Sequence, residues 1–169
     1  MSKTQEIYVT GLRNAHAMEN QALAIMRPQV SRIEHYPEMA ERLDQHIAET
    51  EGQLQRLDRL LDLAQSSNSG LKDTALSLGG TMAALGHSMA PDEIVKNSFA
   101  NFAFEHYEIA AYKSLLALAE EVADEEAIDL LQQNLDEEIA MSDWLDSNIE
   151  PLTLRFATLS ESGGTEAKK

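Results

Sequence analysis

The chain has 169 residues, with 29 Asp and Glu against 13 Lys and Arg and no cysteine, so its formal net charge is −16. This length suits one compact domain, and the lack of cysteine excludes disulfides, thiolate zinc sites and cysteine nucleophiles. The negative charge argues against nucleic-acid partners, because its long-range field repels phosphates. Since no apolar run could span a membrane and the first twenty residues lack the apolar core of a signal peptide, we expect a soluble, cytoplasmic protein without a membrane partner.

Apolar residues recur at spacings of three and four over residues 4–27, 38–64, 92–121 and 124–149, which predicts four long helices. Prolines at positions 28, 37, 91 and 151 flank these stretches and are expected to bound the helices. The first stretch shows the pattern well, because one face of it carries Tyr8, Leu12, Ala15, Glu19, Leu23 and Met26.

Short connections near Ser31–Tyr36 and Val122–Ala123 predict two antiparallel helical hairpins. The long segment between the hairpins contains four of the eight glycines, and we expect a short apolar helix in it around Leu71–Leu85. Four long helices with one long central crossover indicate an all-α, ferritin-like four-helix bundle. We assign this bundle to residues 1–160 as a single domain and expect residues 161–169 to form a disordered polar tail.

Three carboxylates lie on helix faces that should be buried. Glu19, Glu105 and Glu138 each fall in the middle of the apolar stripe of a different predicted helix. A lone carboxylate that faces a core is costly, so three of them on three helices indicate a common reason. The remaining helix carries His46 near the centre of its stripe and Glu49 toward the edge.

Counting residues from the two turns puts these side chains at one level of the bundle. Glu19 lies 16 residues before a turn near position 35 and Glu49 lies 14 after it, while Glu105 lies 18 before a turn near position 123 and Glu138 lies 15 after it. Such differences of two or three residues correspond to about 3–5 Å along a helix. We therefore expect one cluster, and Glu108 flanks Glu105 one turn later on the same helix.

A cluster of carboxylate oxygens with an imidazole is a suitable ligand set for a pair of metal ions. Oxygen donors suit Fe, Mn or Mg, and the metal charge offsets the repulsion between carboxylates. Ferritin-like di-metal sites usually use one Glu from each of two helices and Glu-x-x-His from each of the other two. This chain has no Glu-x-x-His; it has His-x-x-Glu at 16–19 and 46–49 and Glu-x-x-Glu at 105–108. The predicted site is therefore rich in carboxylates and poor in histidine.

Four segments resemble the helix motifs of the YciE/YciF-type bacterial stress proteins, namely HAMENQ (16–21), QHIAETEGQ (45–53), FEHYEIAAYKSLL (104–116) and LDEEIAMSDWL (135–145). The AALG segment at 83–86 and the PDEIVK segment at 91–96 are closer to the YciE side of that family. The resemblance covers almost the whole chain and implies a ferritin-like bundle, a homodimer and a di-iron-type site without an established reaction. It matches the family's metal-site residues to Glu19, His46, Glu49, Glu105, Glu108 and Glu138.

The leading hypothesis is a ferritin-like protein that binds two metal ions, with iron favoured over Mn or Mg. Whether it is an enzyme stays open; a catalytic ferrous pair would reduce oxygen or peroxide. No residue is assigned as catalytic. One alternative is a non-catalytic stress-response dimer whose bundle binds a partner, and another is a bundle that uses metal only for stability. For the inward carboxylates, the alternative is that they reach solvent or pair with Lys or Arg. For His46, the alternative is that the ring is hydrogen-bonded and binds no metal. Tyr112 is expected to pack in the core.

Overall fold

The computed structural model describes residues 2–66, 90–163 and 165–168. These residues form four long helices and a short 3-10 turn: α1 (Lys3–Val30), α2 (Pro37–Ser66), α3 (Glu93–Glu121), α4 (Glu125–Glu161) and Thr165–Lys168. Within these ranges there is no strand, and no helix is both long enough and apolar enough for a bilayer span. The predicted all-α four-helix bundle is confirmed, whereas the short helix predicted around Leu71–Leu85 lies outside the described residues.

Two helical hairpins face each other around one core. Residues 31–36 join α1 to α2, and residues 122–124 join α3 to α4, as predicted. Helix α1 also packs against α3, and α2 packs against α4. This arrangement gives every helix one inward face, which the apolar residues of the sequence pattern occupy.

Local sequence signals explain where the helices begin. The Ser2 hydroxyl accepts a hydrogen bond from the Gln5 backbone N–H, and the Gln5 side chain accepts one from the Ser2 N–H, which forms a capping box at α1. Pro37 occupies the first position of α2, where its missing N–H costs nothing. The Asp124 carboxylate accepts a hydrogen bond from the Ala127 N–H and so caps α4.

Two helix ends predicted from proline are wrong. Helix α1 continues through Pro28 to Val30, and α4 continues through Pro151 to Glu161. Pro28 lies so near the end of α1 that few backbone hydrogen bonds depend on it. Beyond Pro151 the apolar stripe of α4 continues with the buried Leu152 and the partly buried Phe156, whose packing compensates for the lost backbone hydrogen bond.

The C-terminal segment packs on one end of the bundle. Residues Thr165–Lys168 form a 3-10 turn in which Ala167 is buried, and the Tyr36 hydroxyl donates a hydrogen bond of 2.5 Å to the Ala167 carbonyl. The turn belongs to the segment that we expected to be a disordered tail; it contacts α4 and accepts the hydrogen bond from Tyr36, which lies just before α2.

A partly buried ion pair closes the same end of the bundle. Arg32, in the α1–α2 turn, donates two hydrogen bonds of 2.8 Å to the two carboxylate oxygens of Glu93, the first residue of α3. The Lys168 ammonium lies 3.6 Å from the same carboxylate. The hydrogen bonds from Arg32, aided by the charges of Arg32 and Lys168, lower the pKa of Glu93 although its partial burial opposes them.

Replacing Glu93 with Gln should lower the free energy of unfolding at pH 7, because Arg32 loses its charged partner. The pKa of Glu93 lies below its ordinary value of 4.5 in the folded protein. Ionised Glu93 therefore contributes fully to the free energy of unfolding at pH values above its ordinary pKa. This contribution is lost as the pH falls through the lower pKa of the folded state. Urea unfolding of wild type and Glu93→Gln should show a difference at neutral pH that shrinks under acid conditions.

The matched control is Glu126→Gln, which breaks the exposed pair between Arg59 and Glu126. Exposed ion pairs contribute little to stability, so this control should change the unfolding free energy much less. The stabilising role of the Arg32–Glu93 pair would be contradicted if Glu93→Gln lowered the free energy of unfolding no more than the control does. A loss that does not change with pH would also contradict it.

Candidate metal centre

Acidic side chains from three helices meet a histidine from the fourth inside the bundle. Glu19 comes from α1, His46 from α2, Glu105 and Glu108 from α3 and Glu138 from α4, and each is at most 2% exposed. The predicted burial of Glu19, Glu105 and Glu138 is therefore confirmed, and their alternative placement in solvent is wrong.

Four of these residues form a compact group. One ligand atom from each of His46, Glu105, Glu108 and Glu138 lies within 4.8 Å of the others. Glu105 and Glu108 are three residues apart on α3, so their carboxylates lie on the same side of the helix. Glu19 is an electrostatic neighbour of this group, because the negative charges of Glu138 and Glu105 contribute to raising its pKa.

The His46 ring connects the group to the edge of the bundle. Its Nε2 atom lies 3.2 Å from Glu105 Oε2 and 3.5 Å from Glu138 Oε2. Its Nδ1 atom lies 2.8 Å from Glu49 Oε2, and because an ionised carboxylate only accepts hydrogen bonds, Nδ1 carries the proton. In neutral His46, Nε2 therefore presents its lone pair toward the carboxylates, as a metal-binding histidine does.

Glu49 lies on the outer side of His46 rather than in the four-residue group. Its carboxylate accepts hydrogen bonds from Arg42 at 3.0 Å and from Gln45 at 2.8 Å, besides its contact with His46. Burial opposes the shift, but the hydrogen bonds from His46 and Arg42 lower the pKa of Glu49. In this position Glu49 orients the imidazole and does not itself face Glu105 or Glu138.

Several buried carboxylate oxygens receive no hydrogen bond from the part of the chain that the structure describes. Those in and beside the group are both oxygens of Glu108 and the Oε2 atoms of Glu19, Glu105 and Glu138. A buried acceptor without a donor costs about 1–3 kcal/mol, and more when it is charged. Five such atoms in and beside one buried group could all be satisfied by a positively charged ligand.

The acids can be neutralised by protons when no cation binds. Burial is the largest effect and raises the pKa of Glu105 to about 8, although the neighbouring His46 opposes it. Burial, reinforced by the nearby carboxylates, also raises the pKa values of Glu19 and Glu108 well above their ordinary range. For His46, burial lowers the pKa, but the carboxylates of Glu105, Glu138 and Glu49 around the ring outweigh burial and raise the pKa well above its ordinary value.

A hydrogen-bonded chain supports Glu19 from the side of α3 and α4. The Tyr112 hydroxyl donates to Glu19 Oε1 at 2.5 Å and accepts from Asn134 Nδ2 at 2.9 Å. Arg56 then donates to Asn134 Oδ1 and to Glu137. Tyr112 is fully buried, as expected, and in addition fixes one oxygen of Glu19.

Two supporting residues on α2 and α4 complete the surroundings of the group. Gln53 Nε2 donates a hydrogen bond to Glu138 Oε1 and leaves Oε2 directed toward His46. Asn134 is fully buried but is not among the residues that the sequence pattern predicts. Its position four residues before Glu138, on the same face of α4, is the signal that could have identified it.

Replacing Tyr112 with Phe should destabilise the metal-free protein by about 1–3 kcal/mol, because Glu19 and Asn134 each lose a buried hydrogen-bond partner. Urea unfolding measures this difference. Tyr107→Phe is the matched control, since Tyr107 is 56% exposed on the same helix and its hydroxyl can bond to water. Equal stability of the two variants would contradict a supporting role for Tyr112.

Comparisons with known proteins identify the relatives of this bundle. Residues 3–158 match the family described as "Domain of unknown function (DUF892)". Protein YciF of Escherichia coli strain K12 is 26% identical over 151 residues, which are 83% of this chain and 86% of that protein.

Two crystal structures share the fold. A protein from Xanthomonas campestris is 32% identical, with a TM-score of 0.78 over 94% of this chain and 99% of that one. The E. coli stress protein YciF is 24% identical in structural alignment, with a TM-score of 0.68 over 88% of this chain and 96% of that one. The predicted kinship with YciF-type proteins is thereby confirmed, while the closer likeness to YciE stays a prediction. The chain therefore belongs to the DUF892 family and is similar to YciF.

Proposed function

We propose that this protein binds two divalent metal ions, most favourably iron, in the buried group of His46, Glu105, Glu108, Glu138 and Glu19. The observation that carries the proposal is the set of buried carboxylate oxygens that lack a hydrogen-bond donor and lie beside an imidazole nitrogen. Oxygen atoms with one imidazole suit Fe and Mn, and Mg is the third candidate.

Charge balance supports two ions rather than one. Glu19, Glu105, Glu108 and Glu138 together carry a charge of −4 when all are ionised, and two divalent ions supply +4. Neutral His46 adds a ligand without adding charge. One divalent ion would leave a net charge of −2 in a buried space, which would keep some of the carboxyls protonated.

The positions of the side chains suggest how the ligands divide. His46 Nε2, Glu105 and Glu138 lie next to one another and would hold one ion. Burial raises the pKa values of Glu108 and Glu19, and the charge of Glu138 contributes to both shifts, so these three carboxylates would hold the other ion. Glu138 would therefore belong to both ligand sets, and Gln53 holds its carboxylate in position.

The residues around the ions would control the chemistry. A ferrous pair supplies electrons for the reduction of dioxygen or peroxide, the reaction class that we propose. Glu49 would keep the proton of His46 on Nδ1 so that Nε2 is free to bind metal. Tyr112 would hold Glu19 by one oxygen and leave the other free. The apolar residues above and below the group would exclude bulk water.

The proposal includes a homodimer, which rests on the family resemblance, and a cytoplasmic location, which rests on the sequence analysis. A metal that serves only stability is the competing use of the same site. Addition of dioxygen to the anaerobic protein with ferrous iron separates the two, because an oxidase consumes dioxygen while a structural site does not.

Replacing Glu105 and Glu138 together with Gln should abolish metal binding, because the change removes two charged ligands and preserves side-chain size. After anaerobic dialysis against ferrous iron, elemental analysis should find about two ions per wild-type chain. The double variant should hold fewer than about 0.2 ions per chain.

The control for this experiment is a double variant with the same charge change outside the cluster, Glu120→Gln with Glu150→Gln. Glu120 lies on α3 and Glu150 on α4, as the test residues do, but both are exposed. This control should bind metal as the wild type does. Fewer than about 0.2 ions per wild-type chain would refute the di-metal proposal.

Replacing Glu19 alone with Gln should leave about one ion per chain, because the group of His46, Glu105 and Glu138 is untouched. Isothermal titration with Mn²⁺ under anaerobic conditions gives the stoichiometry without redox chemistry. Glu49→Gln is the comparison, and it should keep about two ions with weaker affinity, since second-sphere partners tune affinity. Two ions bound with full affinity in Glu19→Gln would remove Glu19 from the ligand set.

A further inference from the structure

An open pocket lies between the start of α2 and the second half of α4. Its volume is about 390 Å³, within the range of about 300–1,000 Å³ that is usual for sites of small organic molecules. Tyr36, Met39 and Leu152 are buried and form its apolar floor. The residues around this floor are more exposed, namely Glu38, Trp144, Asn148, Pro151 and Arg155. The pocket shares no residue with the candidate metal centre.

Arg155 has no carboxylate partner among the described residues, which is unusual in a chain with so many acids. Five other arginines each contact a carboxylate, in the pairs Arg27–Glu51, Arg32–Glu93, Arg42–Glu49, Arg56–Glu137 and Arg59–Glu126. The Arg155 guanidinium instead lies over the Tyr36 ring, 5.7 Å from its centre. A guanidinium over a ring keeps N–H donors available, and a carboxylate is the acceptor that best fits them.

Three other polar groups of the pocket are also without partners in the described part of the chain. The Glu38 carboxylate makes no ion pair or hydrogen bond there, although it lines the same pocket as Arg155. The indole N–H of Trp144 has no acceptor there either. Asn148 Nδ2 donates a hydrogen bond of 2.7 Å to the Trp144 carbonyl, so the Asn148 Oδ1 atom remains available as an acceptor. Donors and acceptors thus surround one apolar floor.

This combination of groups determines which ligand chemistry fits. A carboxylate would accept hydrogen bonds from Arg155 and Trp144. An ammonium would donate hydrogen bonds to Glu38 and Asn148. The floor would bury an apolar side chain. A ligand with only one of the two charges would satisfy half of these polar groups, whereas a zwitterion with an apolar body satisfies all of them.

We propose that this pocket binds a free amino acid with a large apolar side chain. The proposal is independent of the metal centre, because the pocket contains none of the proposed ligands. Trp144 is the one tryptophan of the chain, so its fluorescence reports on the pocket directly.

The first test uses the unaltered full-length protein. The fluorescence of Trp144 is followed during titration with L-phenylalanine and with L-leucine, with excitation where neither amino acid absorbs. Both should give a saturable change. The compound 3-phenylpropionate lacks the ammonium and phenethylamine lacks the carboxylate, so each should bind about tenfold more weakly than L-phenylalanine, as the loss of a hydrogen bond between charged groups predicts.

The second test uses variants of the two charged residues. Arg155→Gln and Glu38→Gln should each weaken the binding of L-phenylalanine about tenfold, measured as Kd by isothermal titration calorimetry. The matched controls are Arg59→Gln and Glu41→Gln, which change exposed residues of α2 outside the pocket. Both controls should bind as the wild type does, and thermal melting checks that every variant folds.

Three results would overturn the proposal. They are the absence of a saturable response to both amino acids, an affinity for 3-phenylpropionate or phenethylamine equal to that for L-phenylalanine, and unchanged binding in Arg155→Gln or in Glu38→Gln. None of these measurements requires metal, so their failure is distinct from failure of the metal-binding experiments.

Discussion

The repulsion and desolvation of four carboxylates in the core is the constraint on which the rest of this structure depends. Glu19, Glu105, Glu108 and Glu138 are buried among apolar residues, where an isolated negative charge costs several kcal/mol. One imidazole and a few neutral donors offset only part of this cost, so burial still raises the pKa values of Glu19, Glu105 and Glu108. Two divalent ions would relieve both the repulsion and the lack of donors, so the same feature that weakens the metal-free fold prepares it for metal.

The remaining parts of the bundle keep these side chains at one level. Hydrogen bonds from Tyr112 and Gln53 fix one oxygen each of Glu19 and Glu138 and leave the other oxygen facing the group. The ion pair of Arg32 with Glu93 ties the start of α3 to the turn between α1 and α2. Because helices are stiff, fixing their ends determines the height of residues in the middle.

Much of the fold and part of the site could be predicted from the sequence, for identifiable reasons. Helical spacing located the four helices, and the acids on apolar faces indicated Glu19, Glu105 and Glu138. The extension of α4 beyond Pro151 was not predictable from local rules, since packing of Leu152 and Phe156 outweighs the effect of proline. The separation of Glu49 from the group depends on its contacts with Arg42 and Gln45, and helix spacing carries no information about such side-chain choices. Asn134 was not predicted from the sequence, because an amide on an apolar helix face is compatible with many hydrogen-bonding roles.

Anomalous X-ray scattering at the iron absorption edge, from crystals grown anaerobically with ferrous iron, tests the central claim most directly. The account predicts two peaks in the buried group, one beside His46 Nε2, Glu105 and Glu138 and one beside Glu19, Glu108 and Glu138. Iron found only at surface carboxylates, with the buried acids of the group left without metal, would contradict it.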